Sequence, residues 1–131
     1  RGRLDGSLVV DPGTVVKLTG ARIELGQGTQ LLAEGTESKP IIFTSVLDDR
    51  FGAGGTFDTN NDRTATSQGA TPARGNWSGI YASPGANISL DNSVVAFGGG
   101  VSLLEGGQSR GFAALELQQA TARVTNSRFE N

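Results

Sequence analysis

The residues best equipped for chemistry gather after position 45, and the first group is Asp58-Thr59-Asn60-Asn61-Asp62-Arg63-Thr64. Oxygen donors at alternate positions, Asp58, Asn60 and Asp62 with the backbone carbonyl of Thr64, are the ligand set a hard cation such as Ca²⁺ takes. The rest departs from a calcium loop. Arg63 stands where glycine makes the sharp turn, and Gly69 holds the twelfth position in place of a bidentate glutamate. The competing reading is a run of Asx turns whose side chains satisfy their own backbone, and the sequence leaves both open.

The second group is aromatic and charged. Trp77 and Tyr81, the single Trp and single Tyr of the chain, stand near Asp49, Arg50, Arg74 and Arg110 in two glycine-rich stretches. A flat ring among carboxylates and guanidinium groups suits the stacking of a sugar, which makes these six residues candidate ligand contacts. Against that, Trp77 can seal the base of a loop, since large aromatics most often bury area.

Catalysis finds less support. There is no His and no Cys, so triad chemistry is excluded. A hydrolase would need carboxylates paired across a cleft, for which Asp48, Asp49, Asp58, Asp62 and Glu105 are the supply. A lyase would need Ca²⁺ with a basic residue such as Arg50, Arg63, Arg74 or Arg110. No catalytic residue is assigned.

These groups must be held by strands. Short β-branched runs with period-2 alternation recur in three columns. Column A is Ser7–Asp11, Gln30–Glu34, Asn87–Asp91 and Ala122–Thr125; column B is Thr14–Leu18, Pro40–Ser45, Ser93–Phe97 and Ser127–Asn131; column C is Arg22–Leu25, Ser78–Tyr81 and Ala114–Leu117. They succeed one another A, B, C through nearly four turns, the self-similarity of a solenoid. Phe112–Arg123 is rich in helix formers, but Leu115 and Leu117 keep the column C spacing.

Alternation also assigns an inward face. Lys17 points outward, which sends Val16 and Leu18 inward, and the same rule selects Ile41, Phe43, Val95, Phe97 and Phe129 in column B. Column A contributes Leu8, Val10, Leu31, Ala33, Ile88, Leu90, Ala122 and Val124; column C contributes Ile23, Leu25, Ile80, Leu115 and Leu117. Phe43 and Phe97 are expected to stack as an aromatic step. Matched inward residues are 5 to 8 positions apart at the A-to-B and C-to-A corners, but 37 and 18 apart at the later B-to-C corners. Two insertions, Val46–Asn76 and Gly98–Gly111, therefore leave at one corner, commonly the functional face of a repeat protein.

Composition agrees. The chain has 131 residues, 20 of them Gly, and 11 Lys and Arg against 13 Asp and Glu, with no basic block. That suits one domain of short strands and tight turns, argues against nucleic acid as a partner, and supplies no run able to insert in a membrane. Without cysteine, stability must come from packing.

The motifs Leu8-Val9-Val10, Asp11-Pro12-Gly13, Val15-Val16-Lys17, Gly35-Thr36, Pro40 to Ser45 and Trp77-Ser78-Gly79-Ile80 give the chain a family likeness. It resembles the right-handed parallel β-helices of the pectin-lyase-like superfamily, and more narrowly the β-helix modules of large bacterial secreted and cell-surface proteins. The resemblance implies an all-β fold: a right-handed parallel β-helix of about four three-strand rungs, with both insertions at one corner and residues 1–131 as a single domain. It implies an extracellular setting and a structural or adhesive role, with polysaccharide lyases and hydrolases in the same superfamily as the enzymatic alternative and passive glycan binding as another. Nothing amphipathic precedes Leu8, so the expected partners at the open ends are further rungs of a parent chain or other copies, with cell-surface polysaccharide at the loops. Ca²⁺ is the one cofactor the residues suggest.

Overall fold

The computed structural model describes residues 2–4, 6–51 and 71–131. Among them the regular structure is all strand: β1 (Gly2–Leu4), β2 (Ser7–Val10), β3 (Val15–Leu18), β4 (Arg22–Leu25), β5 (Gln30–Glu34), β6 (Ile41–Ser45), β7 (Gly79–Ala82), β8 (Asn87–Asp91), β9 (Ser93–Ala96), β10 (Val101–Leu103), β11 (Ser109–Gly111), β12 (Leu115–Leu117), β13 (Thr121–Thr125) and β14 (Arg128–Glu130).

Each column becomes a parallel sheet. Column A forms β13-β8-β5-β2, column B forms β14-β9-β6-β3, and column C forms β1-β4-β7-β12. Among the described residues the three sheets are visited in fixed rotation, with the antiparallel pair β10-β11 set between β9 and β12. Phe43 pairs in register with Val95, and Leu31 with both Leu8 and Ile88. Leu115–Leu117 and Thr121–Thr125 are strands, because ladder pairing and burial override helix propensity there. A strand outside the three-column reading, β1, precedes Leu8: Gly2, Arg3 and Leu4 pair with Ile23, Glu24 and Leu25.

Period-2 alternation places one residue set from all three sheets in a shared core. Val10, Leu25, Leu31, Ala33, Ile41, Phe43, Ile80, Ile88, Leu90 and Val95 are buried there, with Val16, Leu18, Ile23, Leu115 and Ala122 packed against them. Each large member contributes about 1.5–3 kcal/mol of burial before entropy. In the edge strands the same inward positions are partly open, with Leu8, Leu117, Val124 and Phe129 between 37% and 42% exposed.

Phe97 is a correction. It adopts φ 59 at the end of β9, leaves the extended conformation, and joins a second cluster with Ile42, Val94 and Ala96, against which Val15 and Phe51 pack. No aromatic step with Phe43 forms. The column B sheet is therefore apolar on both faces, which its unbroken runs Ile41-Ile42-Phe43 and Val94-Val95-Ala96-Phe97 signal in hindsight.

The corners carry their own chemistry. Asn92 and Asn126 take φ 45 and 48 where column A turns into column B, a left-handed conformation asparagine tolerates. Between columns B and C the two long connections abut: the Gly75 amide donates to the Gly98 carbonyl at 3.1 Å, and the Gly100 amide to the Trp77 carbonyl at 3.0 Å. A Cβ on Gly100 would lie 2.3 Å from the Gly75 oxygen, so only glycine lets these backbones meet.

Candidate functional site

The most developed site lies where β10-β11 folds over the outer face of the column C sheet. Its keystone is Arg22, an outward position of β4 that is nevertheless only 5% exposed. Its NH1 donates to the Ser102 hydroxyl at 3.0 Å and the Leu103 carbonyl at 2.8 Å, while Nε donates to Glu24 Oε2 at 2.9 Å. NH2 stands 2.6 Å from the same carboxylate oxygen. One guanidinium thus pins the hairpin to the sheet with charge-assisted bonds.

Phe112, which follows β11, is buried under that guanidinium, whose carbon is 5.0 Å from the ring centre. Tyr81 meets Phe112 edge-on, with centroids 5.7 Å apart and planes at 75°. Arg110 reaches over both rings, 4.8 Å from Phe112 and 5.8 Å from Tyr81, and pairs with Glu116. The Tyr81 hydroxyl donates to Gln118 Oε1. Cation–π and edge-to-face contacts of this kind fix ring orientation more than they add stability.

Between hairpin and sheet is a cleft of about 270 Å³, bordered by Glu24, Tyr81, Leu104, Glu105 and Arg110 over a floor of Arg22 and Phe112. Two paired guanidinium groups and three carboxylates, counting Glu116, leave it without surplus positive charge. It offers ring edges, carboxylate acceptors and guanidinium donors at close quarters, which suits a polyhydroxylated neutral group better than an anion.

A second polar centre forms where the first long connection leaves β6. Asp48 is fully buried and accepts from Thr44 Oγ1 at 2.6 Å, from the Arg50 amide at 3.2 Å, and from Arg50 Nε and NH2 at 2.9 and 3.0 Å. Its backbone carbonyl accepts from Lys17 Nζ at 2.5 Å. Burial pushes the Asp48 carboxyl up, but the hydrogen bonds from Arg50 and Thr44 and the guanidinium charge outweigh it and hold the group below its ordinary value. Burial likewise lowers Lys17, against the opposing pull of Asp49 and Asp48. Arg50 also donates to Glu130 Oε1 at 3.0 Å and lies over Phe51 and Phe97. The centre is a clasp that seats the connection on the column B sheet, with Asp48 and Asp49 closed to solvent.

Of the expected contacts, Tyr81 and Arg110 come together in the cleft. Trp77 does not join them: it is fully buried in the main core and donates its indole N–H to the Ala96 carbonyl at 2.7 Å. Asp49 is 2% exposed beside the clasp, Arg50 belongs to the clasp itself, and Arg74 stands exposed in the turn before Asn76. The Ca²⁺ candidates Asp58, Asn60, Asp62 and Thr64 lie outside the described residues. Arg22, Glu24 and Phe112 were not anticipated. The register supplied a usable signal for Glu24, since Glu24, Tyr81 and Glu116 are successive outward partners in column C.

No family model matches the chain, and no curated protein or solved structure does either.

Proposed function

We propose that the chain is a right-handed parallel β-helix of about four rungs, similar to pectin-lyase-like modules, serving as a rigid extracellular spacer that displays a contact surface at one corner. The observation that carries this reading is the gathering of both long connections between the column B and column C sheets, with β10-β11 clamped onto the side of the stack by Arg22. Parallel strand crossovers favour the right hand, and insertions confined to one corner are how repeat folds present a working face. The secreted or cell-surface setting rests on the family resemblance.

The contact this module makes is with a neutral polysaccharide held in the cleft, without turnover. Tyr81, Arg110 and Phe112 supply rings and donors, and neither His nor Cys is available for nucleophilic chemistry. The test is retention on a panel of immobilised polysaccharides, paired with an assay for new reducing or unsaturated ends. Retention that Arg110→Ala and Tyr81→Ala abolish, with no new ends, is expected. Release of chain ends would replace this reading with a carbohydrate-active enzyme, and retention unchanged in both variants would move the contact elsewhere.

A further inference from the structure

The cleft between hairpin and sheet is small and its rings are not open for stacking. Its volume of about 270 Å³ falls short of the roughly 300–1,000 Å³ of sites that enclose a drug-sized ligand, so it takes one sugar residue or one substituent of it. The guanidinium carbons of Arg22 and Arg110 lie over Phe112, 5.0 and 4.8 Å from the ring centre, and Arg110 also lies over Tyr81 at 5.8 Å. Phe112 is only 7% exposed and meets Tyr81 edge-on. A pyranose lays its flat C–H side on a flat ring face; in this cleft guanidinium groups stand in that place. The apolar surface left to a ligand is ring edge together with Leu104, a half-buried side chain at the hairpin turn.

Polar partners border the same small space. Glu24 and Glu105 supply carboxylate acceptors, and Arg110, whose side chain is 43% exposed, supplies N–H donors. One compact neutral group answers all three chemistries. An acetamido group carries an N–H for a carboxylate, a carbonyl for a guanidinium, and a methyl for Leu104 and the ring edges. A hydroxyl satisfies the polar partners only and leaves the leucine wall in contact with water. A carboxylate on the sugar would meet Glu24 and Glu105 with its own sign of charge.

From this match we infer that the cleft selects sugars bearing an acetamido substituent, with Leu104 as the residue that sets the selectivity. The inference rests on the polysaccharide-binding reading above and names the ligand class of that same site.

Competition on the immobilised polysaccharides tests it. From any polysaccharide that retains the chain, free N-acetylglucosamine or N-acetylgalactosamine is expected to displace it at concentrations about 10-fold lower than glucose or galactose, the factor one methyl in an apolar pocket confers. Leu104→Ser keeps the backbone bonds that Leu104 makes with Gly107 and Gln108 and is expected to cut the difference to about 2-fold or less, whereas Leu104→Met is expected to keep it. Circular dichroism checks that both variants fold. Displacement by the acetamido sugars no better than by glucose and galactose overturns the inference and leaves the neutral-polysaccharide reading standing. A preference undiminished in Leu104→Ser overturns it too, because the methyl would then be held elsewhere. Retention on no polysaccharide at all removes the underlying reading and the inference with it.

Discussion

Trp77 donates its indole N–H to the backbone carbonyl of Ala96 at 2.7 Å, joining the residue that closes the first long connection to the strand that opens the second. Its ring is fully buried in the core shared by the three sheets. Trp77→Ala is expected to cost about 3–5 kcal/mol, as large core truncations do. Trp77→Phe keeps most of the volume but leaves the Ala96 carbonyl without its donor, at about 1–3 kcal/mol. Urea unfolding of the two variants checks the order, and equal losses would show that the hydrogen bond missing from both carries the whole effect and the ring volume none of it.

Arg22→Ala should free the hairpin while the stack survives. The hairpin loses its donors to Ser102 and Leu103, so amide exchange in 101–111 is expected to accelerate about 10-fold or more, matching the loss of at least ~1.4 kcal/mol of local stability. Exchange in β5 and β8 is expected to stay slow. Uniform acceleration in both regions would mean that the hairpin is part of the global folding unit.

Acid should loosen the clasp before it unfolds the core. Because the folded-state value of Asp48 lies below its ordinary 3.8, the unfolded chain binds the proton more readily. The contribution of this group is therefore whole above that value and is lost as pH falls through the lower folded-state value. Asp91 shifts in the same direction, chiefly through hydrogen bonds from Asn126 and Thr125. Thermal melts at descending pH are expected to show falling Tm, with a shallower fall in Asp48→Asn. That variant should also lose roughly 2 kcal/mol at neutral pH, a figure discounted because Arg50 is half exposed.

Gly100→Ala tests the meeting of the two long connections. The added methyl would sit 2.3 Å from the Gly75 carbonyl oxygen and 2.9 Å from the Trp77 carbonyl oxygen. Backbone atoms cannot rotate away, so a loss of about 1–3 kcal/mol is expected. Gly106→Ala, with open space around it but φ 93, is expected to cost less, about 1 kcal/mol from backbone strain alone. Reversal of that order in urea melts would contradict the packing at this corner.

Strand identity and register were readable because they depend on period-2 alternation, which Leu31, Ile88 and Phe43 obey without exception. Phe97 broke the rule because one left-handed residue at a strand end reverses a side chain, and alternation carries no information about φ. The cleft was half readable. Tyr81 and Arg110 stood out by type, whereas Arg22 looks in sequence like any solvated outward arginine. Its burial follows from a hairpin 80 positions away, and no local pattern encodes that contact. Trp77, open in sequence to either a ligand contact or a buried role, takes the buried one: its neighbours in sequence are polar, but its neighbours in space are Ala96 and the shared core.

The abutting glycines at the column B to column C corner have one more consequence. Because Gly75 and Gly98 bring the bases of both excursions together by backbone bonds, what hangs beyond those bases can vary in length and composition while the sheets keep their pairing. The corner works as a socket. A foreign peptide spliced in place of 104–107 would be carried on a rigid mount, its direction set by the sheets beneath rather than by its own sequence.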